Sequence, residues 1–391
     1  MTDWTKRIAP AVNSIPPSGI RKFFDIAAEM DDVVSLGVGE PDFVTPWSIR
    51  ESCVYGLEQG YTSYTSNRGL LELRQEIAKQ YENRYALTYQ PGEDILVTVG
   101  VSEALDLAMR TILSPGDEIL VPEPCYVSYK ACATLAGGVP VPVPARIETE
   151  FRITPDDLEP HVTERTRALL IGYPNNPTGA IMSRTDLLAI AQFAEKHDLI
   201  VISDEIYGDL TYGGEEHICF SALPGMQERT ILLNGFSKAY AMTGWRIGYA
   251  LANPTIIAAM TKIHQYTMLC APITAQIAAI EALRRGEKYM KKMVAEYDKR
   301  RRFIYDGFSK MGLECFEPKG AFYIFPSIRS TGYTSDEFAE KLLNTEHVAL
   351  VPGSAFGECG EGYIRCSYAT AIDQIAEALA RIEDFLKNHK K

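Results

Sequence analysis

Four apolar, β-branched runs recur along the chain, at residues 95–99 (ILVTV), 168–172 (ALLIG), 199–203 (LIVIS) and 230–234 (TILLN), and no other feature restricts the fold as much. Runs that stay apolar at nearly every position belong to strands buried on both faces. Between them the spacing changes to that of helices: residues 101–113 (VSEALDLAMRTIL) put Leu105, Met109, Ile112 and Leu113 on one face. The alternation continues from about residue 50 to 285 and predicts a mostly parallel sheet sandwiched by helices. Residues 276–311, rich in Ala, Glu, Lys, Arg and Met and weakened at Gly286, read as long helices leading to a second unit. The tail predicts a strand over 321–325, a helix over 335–343, a strand over 364–368 and an amphipathic helix over about 372–387. A chain of 391 residues exceeds one ordinary core. The expected class is therefore α/β, a large domain built on that sheet plus a small α+β domain.

Charge and composition narrow the function. A formal charge of −12 argues against nucleic acid and anionic membrane as partners, since both require a basic surface. No apolar run is long enough to span a bilayer, and the opening MTDWTKRIAPAVN lacks a signal core, so a cytoplasmic protein is expected. The eight cysteines form no CxxC pair and the six histidines no HExxH helix, which points to free thiols and no metal site. The sheet pattern would also suit a nicotinamide-dependent dehydrogenase. No GxGxxG, however, stands between a strand and a helix with an acid about twenty residues on.

The chemistry gathers where the strands end. Residues 235–248 (GFSKAYAMTGWRIG) follow the run 230–234 and set Lys238 in a glycine-bounded turn, with Arg246 eight residues later. A lone lysine is ordinarily a solvated charge. Past a strand's carboxyl end, where α/β sheets bind ligands, it could bond covalently to a cofactor whose phosphate the arginine holds. Three further strand ends support that reading. Run 168–172 leads into YPNNPTG with an amide at Asn176, and run 199–203 leads into DEIY with Asp204 and Tyr207. Run 95–99 ends at Gly100, opening a helix whose first backbone donors, at Gly100, Val101 and Ser102, suit a phosphate.

Taken in order and spacing, SLGVGEPDF (35–43), YTSNRGLLELR, PNNPTG, SDEIY, SKAYAMTGWRIGY and YIRCSYA (363–369) resemble the class I, fold-type I aminotransferases that depend on pyridoxal phosphate, over nearly the whole length. GIRKF at Gly19, TILSPGDE, KIHQY at Lys262 and GAFYIFPSI at Gly320 are most similar to the aromatic and N-acetyl-diaminopimelate aminotransferase subgroup. The resemblance implies a large domain over 46–285, a small one over 1–45 and 286–391, and an active site between them. It implies attachment of the cofactor to Lys238, which also serves as the base at the substrate's α-carbon. Asp204, with Glu205 as the alternative, would keep the pyridine nitrogen protonated. Asn176 and Tyr207 would hold the phenolic oxygen, and Tyr126, in the PEPCY turn, would stack on the ring. Arg246 and Ser237 would join Gly100, Val101 and Ser102 at the phosphate; many relatives carry a serine three residues before the lysine, where this chain has Gly235. Tyr64 would reach the phosphate of a neighbouring subunit, making the enzyme a homodimer. Arg365 would clamp the substrate carboxylate and Gly39 would bring bare backbone close to it. Arg21 would be carried in when the N-terminal segment closes over the ligand.

The substrates implied are an amino acid and a 2-oxo acid. Some relatives hold a second carboxylate with a lysine at the position of Ser102 or an arginine near His264 and Gln265, and this chain has neither. An aromatic or broad donor with 2-oxoglutarate as acceptor is therefore expected, packed against Tyr126, Tyr266, Ile20 and Phe322, with aspartate, alanine and N-acetyl-diaminopimelate as alternatives. A lyase or decarboxylase on the same scaffold is the rival enzyme. A non-enzymatic regulator is the rival binder, disfavoured because the motifs begin by residue 35 and leave no room for a DNA-binding domain ahead of them.

Overall fold

The structure, a computed structural model, describes residues 3–17, 19, 30 and 32–389. Its centre is a seven-stranded sheet in the spatial order Ile95–Thr98, Gly248–Leu251, Thr230–Gly235, Ile200–Asp204, Thr166–Gly172, Glu118–Glu123, Val139–Pro144. All four expected runs are strands, and their side chains are almost wholly buried, as two-sided covering by helices requires. Two of the seven strands lack a strand pattern in their sequence. Gly248–Leu251 is short and antiparallel to both neighbours. Val139–Pro144 (VPVPVP) looks unlike a strand because proline cannot donate to a ladder. It lies at the edge, where Val139 and Ala145 donate inward to Asp117 and Glu123; the alternate positions, all proline, face outward and need no donor.

Local signals fix the covering helices. Arg184–Lys196 starts at a capping box in which Ser183 and Asp186 satisfy each other's backbone donors, and Ser335–Glu346 starts the same way with Thr334 and Glu337. The helical stretch expected over 276–311 is two helices, Ile273–Arg285 and Glu287–Lys310, parted at Gly286. A Cβ there would sit 2.6 Å from Tyr240 Cε1, so glycine lets the ring pack into the break.

Beyond the large sheet, Val351–Pro352, Ile364–Ser367 and Tyr323–Ile324 form a three-stranded antiparallel sheet. The strand expected over 321–325 is thus only two residues long. Val34–Ser35 pairs in parallel with Val348–Ala349, which ties the N-terminal stretch to the C-terminal part. Val34 and Leu36 share one core with Tyr297, Ile304, Phe338 and Ile382, on elements from both ends of the chain.

Candidate active site

A cavity of about 1950 Å³ opens where the parallel strands end and the three-stranded sheet faces them. Topology explains the convergence. In a parallel sheet every strand delivers its following loop to the same edge. Tyr126, Asn176, Ser237 and Lys238 line this cavity from loops after three strands, Asp204 lines it from the last position of a fourth, and Val101 and Ser102 line it from the start of helix Gly100–Ile112.

Lys238 stands at the centre. Its Nζ donates to the carbonyl of Gly39 at 2.7 Å and lies 5.7 Å from the ring centre of Tyr207 and 5.6 Å from that of Phe322. Burial lowers its pKa to about 8; Glu40 opposes that shift, and Arg365 and Arg246 reinforce it. Asp204, 7 % exposed, is pushed up to about 6 by burial against the pull of its donors, Tyr129 and the backbone of Ile206. Tyr129 Oη donates to its Oδ2 at 2.8 Å, and Ile206 N to its Oδ1 at 3.2 Å. Glu205, the alternative to Asp204, points elsewhere, because adjacent strand residues face opposite sides. Its carboxylate takes Ser203 Oγ and the backbone of Phe220 at 3.0 Å each and pairs with His217 at 2.7 Å.

Arg365 is 2 % exposed and sits 4.5 Å from the ring centre of Tyr323 and 4.9 Å from that of Phe356. It donates to Asn176 Oδ1 at 3.0 Å and to Gly37 O at 2.7 Å, while its Nε is buried with no partner. A buried guanidinium with an unmet donor is a ready receptor for an anion. Gly39 lies against it: a Cβ there would be 2.7 Å from Tyr323 Oη and 3.8 Å from Arg365 Nη2. Tyr207 Oη meets Tyr323 Oη at 2.8 Å.

At the other end Arg246 is exposed to the cavity in a left-handed conformation at φ 54°, donating to Thr243 O at 2.9 Å. Gly100 lies behind it at φ 76°, and a Cβ there would be 2.8 Å from Arg246 Nη2. Gly235, where many relatives carry serine, abuts the neighbouring backbone, and a Cβ would stand 3.0 Å from Gly248 Cα. Hydroxyls at this end of the cavity come instead from Ser237, Ser102 and Thr243.

Other expected residues are not brought together within one chain. Tyr64 is 82 % exposed and Tyr266 83 % exposed, and neither lines the cavity. Phe322 is a correction: it is fully buried, packed on Tyr207 and Tyr297, because strand alternation turns it into the core and its neighbour Tyr323 into the cavity. His264 is also buried, with Nδ1 2.6 Å from Glu103 Oε1, so it offers the cavity nothing. Arg21 and Ile20 lie outside the described residues. Tyr129 and Tyr323 were missed, although YVSY sets Tyr126 and Tyr129 one helical turn apart.

The family model for aminotransferase class I and II matches residues 31–382, and the chain belongs to that family. It is an aminotransferase of the mixed α/β, fold-type I architecture, and enzymes of this class depend on pyridoxal phosphate. The chain is 54 % identical to the YugH protein of Bacillus subtilis, named as an aminotransferase, over 98 % of this chain and 99 % of that one. It is 48 % identical to an aspartate aminotransferase of Pyrococcus abyssi, over 96 % and 97 %. Its structure matches that of an aromatic aminotransferase from Pyrococcus horikoshii with a TM-score of 0.91 at 46 % identity, over 95 % and 99 %. Among the described residues no helix is long and apolar enough to cross a membrane.

Proposed function

We propose that this aminotransferase carries pyridoxal phosphate on Lys238 and moves the α-amino group of an aromatic or other bulky amino acid to 2-oxoglutarate. The observation that carries this reading is a single cavity lined by one amine without an acidic partner, Lys238, one buried carboxylate, Asp204, and two guanidiniums, Arg246 and Arg365. The donor set fits the cofactor. Arg246, Ser237 and the helix start at Gly100, Val101 and Ser102 would take the phosphate; Asp204 would face the ring nitrogen, Asn176 and Tyr207 the phenolic oxygen, and Tyr126 the ring face. The bound cofactor supplies an aldehyde carbon for amine exchange and a ring that spreads the charge left when the α-proton departs.

The protein's own groups do the rest. Held down to about 8, the Lys238 amine is neutral often enough near neutral pH to take the α-proton and return it. Asp204 keeps a proton at the ring nitrogen by its charge. Arg365 can exchange its bonds to Asn176 and Gly37 for the substrate's carboxylate, which its planar fork matches. Ser14, Ile15 and Pro17 line the mouth, and closure of this segment would exclude water.

Selectivity follows from the remaining charges. Among the described lining residues the cations are Lys130, Lys238, Arg246 and Arg365, and Lys130 is paired with buried Glu123. None is left for a second carboxylate, which falls to Arg21 when 2-oxoglutarate binds. The active unit is proposed as a cytoplasmic homodimer in which Tyr64 serves the neighbour's phosphate. The exposed side chains of Val44, Trp47, Tyr55, Tyr61 and Tyr266 give a second copy an apolar surface to cover. Residues 46–285 are read as the large domain, and 1–45 with 286–391 as the small one, supported by the pairing of Val34–Ser35 with Val348–Ala349.

The test is a half-reaction. An amino acid alone should convert the cofactor to its amine form and release the 2-oxo acid; ammonia or carbon dioxide as product would identify a lyase or decarboxylase instead. In a single-turnover screen, phenylalanine and tyrosine should match or exceed aspartate. Aspartate ahead by more than about a hundredfold in rate over affinity, roughly 2.7 kcal/mol, would overturn the assignment of the donor. Alanine and N-acetyl-diaminopimelate belong in the same screen.

Cofactor binding offers a separate check. Gly100→Ala places a side chain at φ 76° against Arg246 and should weaken cofactor binding by tenfold or more, about 1.4 kcal/mol, in a fluorescence titration of the apoprotein.

A further inference from the structure

We propose that Tyr129 is a positioning residue that acts through Asp204: its hydroxyl, wedged under Gly172, keeps that carboxylate ionised and turned toward the place of the cofactor's ring nitrogen. The proposal rests on the role given to Asp204 above and assigns control of that group's charge to a neighbouring tyrosine, Tyr129, through its hydrogen bond.

The geometry leaves the hydroxyl one position. Tyr129 lies in the first turn of helix Ser128–Leu135, 5 % exposed, and donates to Asp204 Oδ2 at 2.8 Å. Gly172 is paired with Asp204 across the two central strands, and a Cβ on it would stand 2.4 Å from the Tyr129 hydroxyl. On the other side the ring of Tyr126 meets Tyr129 edge-on, with centres 5.7 Å apart and planes at 84°. The phenol therefore cannot swing away while Gly172 and Tyr126 hold their places.

The chemistry explains why a phenol suits this position. A hydrogen bond donated to a carboxylate favours the charged form, and burial works against it. With Asp204 already raised to about 6 by burial, loss of its strongest donor would leave much of it protonated at neutral pH. A cationic donor would neutralise the carboxylate and compete with the ring nitrogen for it. A neutral phenol stabilises the anion and leaves its charge available. Burial holds the Tyr129 phenol well above its ordinary range, so it remains a donor throughout the working pH range. Glu205 cannot stand in, because both its oxygens are engaged with Ser203, Phe220 and His217.

Tyr129→Phe keeps the ring and removes only the hydroxyl. In the apoprotein, difference infrared titration should show the Asp204 carboxyl rising by at least about one pH unit, a tenfold change in its acidity. In the holoenzyme reconstituted with ring-¹⁵N cofactor, the nitrogen resonance should move toward that of neutral pyridine. The acid limb of kcat/KM should move up in pH, with kcat down about tenfold and KM changed less than about threefold. Gly172→Ala pushes on the same hydroxyl and should act in the same direction, but should add less than about twofold in the Tyr129→Phe background. An unchanged Asp204 titration, a wild-type nitrogen resonance in Tyr129→Phe, or a full Gly172→Ala effect in that background would each overturn the role of Tyr129. A wild-type holoenzyme whose ring nitrogen is already neutral would overturn the assignment of Asp204 and this proposal with it.

Discussion

Lys238→Ala should release all of its cofactor on dialysis, retain none after borohydride reduction, and lose at least four orders of magnitude in kcat/KM, about 5.4 kcal/mol of transition-state stabilisation. The amine is the group that both bonds the cofactor and moves the α-proton, and no second lysine replaces it: among the described lining residues the only other one, Lys130, is held by Glu123. The wild-type apoprotein gives a companion measurement. Burial lowers the amine to about 8, so its neutral, nucleophilic fraction grows with pH and is half formed near that value. The rate of reconstitution should rise through about pH 8 and level off above it. A rate still climbing tenfold per pH unit toward 10 would show an ordinary lysine. Full turnover in Lys238→Ala would refute the attachment site outright.

Arg365→Ala should lower kcat/KM for α-amino acids by about 10³, roughly 4 kcal/mol, because a carboxylate would then enter a closed site without its charged partner. Arg365→Lys keeps the charge and loses the fork, and should recover only part of that. The loss has a signature that a packing defect would not copy. An amine lacking a carboxylate, such as benzylamine, should react with Arg365→Ala within about threefold of the wild-type rate. An equal loss for both substrates would mean that the bonds of Arg365 to Asn176 and Gly37 matter for architecture and that the carboxylate is held elsewhere.

Some residues were legible from sequence because they sit at the ends of strongly patterned runs. The run over 230–234 places Lys238 at the sheet's ligand-binding edge, and LIVISDEIY does the same for Asp204 and Tyr207. Others gave weak signals. In GAFYIFPSI the adjacent aromatics Phe322 and Tyr323 could each serve the site, and only the register of Tyr323–Ile324 against Ile364–Ser367 turns Tyr323 inward and buries Phe322. DEIY offers two carboxylates, and what separates them is the partner set of Glu205, which comes from residues 203, 217 and 220. The VPVPVP strand was hidden because its prolines are tolerated only at an edge, and which strand forms the edge is a property of the whole sheet.

By itself, the sequence determined the alternation of strand and helix, the family, and the lysine and arginines on which the chemistry depends, since these follow from periodicity and from residue types whose charge or nucleophilicity few others supply. Tertiary structure decided everything that depends on distance: the lowered amine of Lys238, the raised carboxyl of Asp204, the phenol of Tyr129 beneath Gly172 and the unmet Nε of Arg365. Each of these is set by burial and by partners distant in sequence, which only the folded sheet brings within hydrogen-bonding range.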